Sequence, residues 1–334
     1  MNKTILLLIV AGWSWSFASR AAADWQPVTA ELIRKEKPGY GKLCGVVVDH
    51  RTGHVFIDLS DKGIYRSTDQ GKNWRRLGNK TLKGRTAWPG CLMLDPLGKS
   101  KKLVTALVYG EPISISPDGG DTWKTMHGKS SHVDWCAVDW SDPDMKFVLA
   151  LKHESGGLLL MSRDGGKSFQ EIGKGFGPAW NFDNQTAVVA EAKSKAKPKP
   201  GLLRTSDGGK TFQPCGAFHA QALPRWHDGT LFWVVDGVLI ASADKGKTWR
   251  KVSDLKGGRF GPIFGTSGKH LFVLTNTGIV ESSDAGRTWS APIALPKELA
   301  GVSALTWMEF DPIHDVLYVM KMGSELYRLK RMKP

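Results

Sequence analysis

Two histidines and two acids fall on two successive segments: His132 with Asp134, and His153 with Glu154. An imidazole beside a carboxylate, or two facing carboxylates, is what general acid–base catalysis needs. Three tryptophans, Trp88, Trp135 and Trp180, offer flat apolar faces. A sugar ring can stack on such a face while its hydroxyls bond charged neighbours. Trp88 and Trp135 each stand seven residues before an Asp-Pro pair, Asp95-Pro96 and Asp142-Pro143. Arg85, His219 and Arg259 lie in comparable segments, with Tyr109, Glu111 and Asp236 in a second set. The run Lys193-Ser-Lys195-Ala-Lys197-Pro-Lys199-Pro200 adds a cationic stretch that proline and like charges keep extended. The candidate catalytic set is therefore Asp134, Glu154, His132 and His153. The candidate ligand-binding set is Arg85, Trp88, Trp135, Trp180, His219, Arg259, Lys195 and Lys197. Each also has a plainer reading: a large aromatic packs between structural units, a lone histidine is an ordinary polar residue, and a lysine run is a solvated insertion.

What must position these side chains is a motif that recurs six times. It runs Ser67-Thr-Asp69-Gln-Gly71-Lys-Asn-Trp74, then Ser116-Pro-Asp118-Gly-Gly120-Asp-Thr-Trp123, then Ser162-Arg-Asp164-Gly-Gly166-Lys-Ser-Phe169. The later copies are Thr205-Ser-Asp207-Gly-Gly209-Lys-Thr-Phe212, Ser242-Ala-Asp244-Lys-Gly246-Lys-Thr-Trp249 and Ser282-Ser-Asp284-Ala-Gly286-Arg-Thr-Trp289. Successive aspartates are 49, 46, 43, 37 and 40 residues apart. Self-similarity at that period signals a propeller or another repeat architecture. The motif has the chemistry of a hairpin turn. Aspartate oxygens accept backbone N–H groups a few residues on, glycine supplies a positive φ, and serine or threonine ties the incoming strand to the turn. The aromatic residue opens the next strand and buries a ring between units.

The motif resembles the Asp box, or BNR repeat, of sialidase-type β-propellers, sortilin-type receptors, xyloglucan-active hydrolases and photosystem II assembly factors. The resemblance covers nearly the whole chain and implies fold far more than function. It implies four-stranded blades with the box between the third and fourth strands, on the rim away from the usual binding face. It also implies where a sialidase would hold its arginine triad, the first member in a Phe/Tyr-Arg-Ile-Pro stretch. That stretch is absent here, and neither Arg34 and Arg51 nor Arg85, Arg225 and Arg259 have matching surroundings, so sialidase activity is not expected.

Six boxes give six blades, and the chain ends supply a seventh. Strand candidates around 305–310, 316–320 and 325–329 match the first blade, and Trp25-Gln-Pro-Val28 resembles the strand that follows each box. The expected fold is all-β: a seven-bladed β-propeller closed by its N-terminal strand, with six blades as the alternative. Inner strands are expected near Leu43, Cys91, Cys136, Asn181, Gln221, Ile263 and Ser303. The loops before them would then carry the candidate site on one face.

The N-terminus reads as an export signal. Lys3 precedes an apolar run from Ile5 to Ala11, and Ala21, Ala22 and Ala23 set a cut before Asp24. This expects a secreted or periplasmic protein whose single propeller domain runs over 24–334, with no membrane span after the cut. Cys44, Cys91, Cys136 and Cys215 show no CxxC pair, so buried thiols are preferred over a Cys44–Cys91 or Cys91–Cys136 bridge, and no metal or cofactor is expected. A formal charge of +14 over 334 residues, which becomes +12 without the signal's Lys3 and Arg20, points to an acidic partner. Export argues against nucleic acid. The functional expectation is a monomeric, non-catalytic binding or scaffold protein for an anionic glycan or an acidic protein. The alternative is a carbohydrate-active enzyme, a glycosidase or lyase, at the channel mouth.

Overall fold

The computed structural model describes residues 23–331, apart from Lys80, Ala87 and Pro89. The expected signal peptide lies outside the described residues, save for Ala23. Each motif copy closes a hairpin, and the hairpins build seven antiparallel sheets arranged as blades in a ring. Blade 1 comprises Gly45–Asp49, His54–Asp58, Ile64–Ser67 and Arg75–Arg76, from the inside outwards. Blades 2 to 5 repeat this four-strand order, with inner strands Leu92–Leu94, Val133–Val138, Phe176–Asn181 and Arg225–His227. Blade 6 has Gly258–Phe264, Leu271–Thr275 and Gly278–Ser282, and a bridge from Ile279 to Ile293 stands for its fourth strand. Blade 7 is made from both ends of the chain. Thr306–Asp311, Val316–Lys321 and Tyr327–Lys330 form three strands, and Gln26–Pro27 pairs antiparallel with the last of them. The count is therefore seven, not six. Strands pair only within each blade, and the radial packing of the blades leaves short, protected edges.

All six boxes adopt the same hydrogen-bonded turn. In the first, Ser67 Oγ donates to Asp69 Oδ1 at 2.8 Å and accepts Gly71 N–H at 2.8 Å. Asp69 Oδ1 also accepts Asn73 N–H at 2.9 Å. The copy around Asp284 repeats these bonds at 2.8, 2.8 and 2.9 Å, and Thr288 Oγ1 donates to Asp284 Oδ2 at 2.6 Å. These donors hold the carboxyls of Asp164, Asp244 and Asp284 at a pKa of about 2, below the ordinary aspartate range. The box glycines have φ near +80° and lean on a neighbouring unit. A Cβ at Gly246 (φ +76°) would sit 2.2 Å from Val188 Cγ1.

The core lies between blades. The largest cluster joins blades 2 to 4 through Val133, Trp135, Phe147, Leu149 and Val189. Cys44, Cys91 and Cys136 are buried at or beside inner strands, whereas Cys215 is half-buried on the outer strand of blade 4. Among the described residues no helix is long and apolar enough to cross a membrane. The one α-helix among the described residues, Ala30–Glu36, was not expected from the sequence; it packs Leu32 onto the core between blades 7 and 1.

Candidate functional site

The ring has two faces. The boxes and the turns between first and second strands share the lower one. Loops leading into the inner strands, and those between second and third strands, share the upper one. Most of the candidate residues divide among three places on this frame.

The densest place is on the upper face over blades 1 to 3. Arg85 is pinned by paired backbone bonds with Val108, 3.0 and 2.6 Å long. Next to it the chain crosses itself: a Cβ at Gly110 would fall 1.9 Å from the Lys83 carbonyl oxygen, so only glycine fits. That crossing lifts Tyr109 outwards. The Arg85 guanidinium lies 4.9 Å from the ring centre of Tyr40 and 5.0 Å from that of Tyr109. The two rings are 77% and 58% exposed.

Beside Tyr109, the inner strand of blade 3 begins right after His132, which supplies the expected His–carboxylate convergence. His153 N–H donates to the His132 carbonyl at 3.0 Å, holding the two loops together. His153 Nδ1 bonds Asp134 Oδ1 at 2.5 Å, and Glu154 Oε1 lies 3.4 Å from His153 Nε2. Tyr109 O–H donates to Glu154 Oε2 at 2.9 Å, and its backbone N–H donates to His132 Nδ1 at 3.1 Å. Burial holds the Asp134 carboxyl above the ordinary aspartate range despite His153. Burial and the adjacent His153 lower the pKa of His132. Tyr109, His132 and Glu154 all have positive φ, at 53°, 55° and 52°. Non-glycine residues held there cost about 1–3 kcal/mol each and gather where the surrounding structure enforces a functional geometry.

The second place is an upper-face groove of about 360 Å³ over blades 5 and 6. It holds His219 and Arg259, with His219 Nδ1 3.3 Å from Asp236 Oδ1 and Arg259 Nε donating to Asn276 Oδ1 at 2.5 Å. The third is the central channel, a cavity of about 180 Å³ opening on the lower face. Trp180 stands there, stacked on Trp226 with ring centres 6.1 Å apart and planes within 9°. Arg225 Nη2 bonds Glu309 Oε1 at 3.2 Å. Burial pushes Glu309 up to about 7, and burial with the Arg225 charge pushes His50 down to about 4.

The tryptophans are where the structure departs from expectation. Trp135 is fully buried within the inner strand Val133–Val138, and Trp180 lies near the end of Phe176–Asn181, at the opposite face from the one assigned. Both inner strands begin earlier than expected, at Val133 and Phe176, and each carries a register shift near its start. A bulge adds a residue that the alternation of side chains cannot reveal. Trp88 stays in the loop before blade 2, half-buried against the core. Lys195 and Lys197 lie in the expected second-to-third-strand loop of blade 4, but that loop folds into a turn. Ser194 and Lys197 exchange backbone bonds of 3.2 Å, and the Lys197 ammonium pairs with Glu191. Arg85, Arg225 and Arg259 lie in the three separate places and form no triad. Tyr40, His50, Trp226 and Glu309 were not singled out from the sequence. Exposure of Tyr40 and burial of Glu309 are properties of the closed ring, with no local signal.

The BNR/Asp-box repeat family matches residues 65–76. The chain is 24% identical over 293 residues to a probable oligoxyloglucan-reducing end-specific xyloglucanase of Neosartorya fischeri, covering 82% of this chain and 31% of that protein. It is 26% identical over 173 residues to sortilin of Rattus norvegicus, covering 48% of this chain and 20% of sortilin. It thus spans less than a third of the length of either relative. The solved structure of YCF48 bound to D1 peptide matches with a TM-score of 0.54 at 14% identity, over 94% of this chain and 96% of that one. At such identity the likeness extends to the fold alone.

Proposed function

We propose that this seven-bladed β-propeller of BNR/Asp-box repeats is an exported binding protein whose upper face docks an acidic peptide segment of a protein partner. The observation that carries this reading is the Tyr40–Arg85–Tyr109 clamp. It presents two exposed rings around a guanidinium, and tyrosine and arginine are the side chains that anchor protein interfaces. A carboxylate accepts a forked pair of hydrogen bonds from arginine, and flanking rings shield that pair from water. Trp135 and Trp180, the rings that would have stacked a sugar on this face, are not available there. The basic balance of the chain favours an acidic partner, and the like-folded YCF48 is recorded with a bound peptide.

A peptide array of acidic, neutral and basic segments tests this. The intact protein is expected to retain acidic segments, and Arg85→Ala to weaken them about 10–100-fold, as loss of a central anchor does. Undiminished binding by Arg85→Ala and Tyr109→Ala sinks the peptide reading. A silent array beside retention on an acidic glycan array replaces it with the glycan one.

One observation favours a second reading, a carbohydrate-active enzyme. His153 sits between Asp134 and Glu154, and the xyloglucanase relative covers most of the chain. Release of reducing sugar from xyloglucan, lost in Glu154→Gln, would establish it.

A further inference from the structure

We propose that His132, His153 and Glu154 form a zinc-binding site on the upper face, independent of the peptide reading. The three residues offer ligand atoms within 4.8 Å of one another. Two histidines and one glutamate, with a position left open, are a recurrent zinc set. Imidazole nitrogens select zinc-class ions over calcium and magnesium, which take oxygen ligands.

The strongest support is what surrounds the ligands. His153 gives its Nδ1 to Asp134, which is buried, and the bond fixes both ring orientation and tautomer. The proton is then on Nδ1, and Nε2 keeps a free electron pair. That nitrogen is buried and makes no hydrogen bond, with Glu154 Oε1 3.4 Å away. A buried acceptor without a donor is costly, and a cation relieves the cost. A carboxylate behind a ligating imidazole is also the usual outer shell of a protein zinc site. Glu154 has such support in turn, from the Tyr109 hydroxyl.

His132 joins by an exchange. Its Nδ1 accepts the Tyr109 backbone N–H, and a neutral ring that accepts at Nδ1 carries its proton on Nε2. Zinc therefore takes His132 at Nδ1 by displacing the Tyr109 N–H, and the ring stays neutral with its proton on Nε2. His153 and Glu154 are the primary ligands and His132 the third. The expectation of no metal rested on cysteine spacing, where these residues leave no trace.

The test is calorimetric titration of the untagged, full-length protein with zinc chloride, with calcium and magnesium chloride as controls. One zinc per chain is expected, with no heat from the controls. Glu154 is two-thirds exposed on its side chain, so Glu154→Gln leaves the fold intact and should weaken zinc at least tenfold. His153→Ala should abolish the site. Asp134→Asn, which touches no metal, should weaken it about 10–100-fold with unchanged melting, as loss of an outer-shell partner does. Cobalt should bind at the same stoichiometry with the intense visible bands of a four-coordinate ion, absent in His153→Ala. No zinc binding by the intact protein, or equal binding by His153→Ala and Glu154→Gln, overturns the proposal. Failure here leaves the peptide array unaffected, and the reverse also holds.

Discussion

At the scale of single residues, the buried pair in the channel sets a measurable pH dependence. Glu309 is fully enclosed beside Arg225, yet the cost of burying its charge wins, and it titrates at about 7. A carboxyl raised in this way binds its proton more tightly folded than unfolded. Its contribution to stability is complete below the ordinary glutamate range, near 4.5. It is lost as pH rises through about 7, with a ceiling of roughly 3 kcal/mol at about 1.4 kcal/mol per pH unit. His50 works in the opposite sense. Its pKa is lowered to about 4, so it stabilises above its ordinary 6.5 and loses that contribution as pH falls towards 4. The difference between two proteins therefore carries the test, not one raw curve. Urea midpoints measured from pH 4.5 to 8 should rise for Glu309→Gln relative to the intact protein as pH increases. Parallel curves would show that Glu309 is ionised throughout.

At the scale of elements, the boxes are turns that also act as spacers between blades. Gly246 and Gly286 have nearly the same backbone, φ +76° and +84°, so alanine strains both alike. They differ in what a Cβ meets: Val188 Cγ1 at 2.2 Å for Gly246, but Val252 Cγ1 at 3.3 Å for Gly286. Both substitutions should destabilise, and Gly246→Ala should cost about 1–3 kcal/mol more, the usual penalty of overpacking. Equal denaturant midpoints would mean that blades 4 and 5 yield at this contact. The contrast also explains what was readable in advance. Ser67, Asp69, Gly71 and Trp74 form their turn within eight residues, so the repeat, the hairpins and the seventh blade at 303–329 were visible as spacing. The start of an inner strand is different, because it depends on bulges and on neighbouring blades. Three residues at Val133 and five at Phe176 separate the observed starts from the expected ones. That shift removed Trp135 and Trp180 from the upper face and left Tyr40 and Tyr109 to present aromatic surface there.

At the scale of the whole molecule, stability depends on how the ring is closed. Gln26–Pro27 pairs with Tyr327–Arg328, Val28 N–H donates to the Leu326 carbonyl at 2.9 Å, and Leu326 N–H donates to Thr29 Oγ1 at 2.9 Å. Trp25 Nε1 reaches the Ala294 carbonyl, and Trp74 Nε1, from the first box, reaches the Val28 carbonyl. One short segment thus holds blades 6, 7 and 1 together. Deleting residues 24–28 should lower the melting temperature by roughly 5–10 °C, at about 2–4 °C per kcal/mol for a chain of this size. It should also expose the Tyr327–Lys330 edge to pairing with a second copy, seen as dimer on gel filtration. A monomer with unchanged melting would place the closing strength elsewhere.

That closure has a mechanical side. Gln26 faces Arg328 in an antiparallel pair, so the two chain ends leave the seam at the same side. Tension applied between them loads the seam bonds one after another, as in opening a zipper, rather than all together as in shear. A ring held by many interlocked blades would therefore tear at low force, and at the seam where its two ends meet.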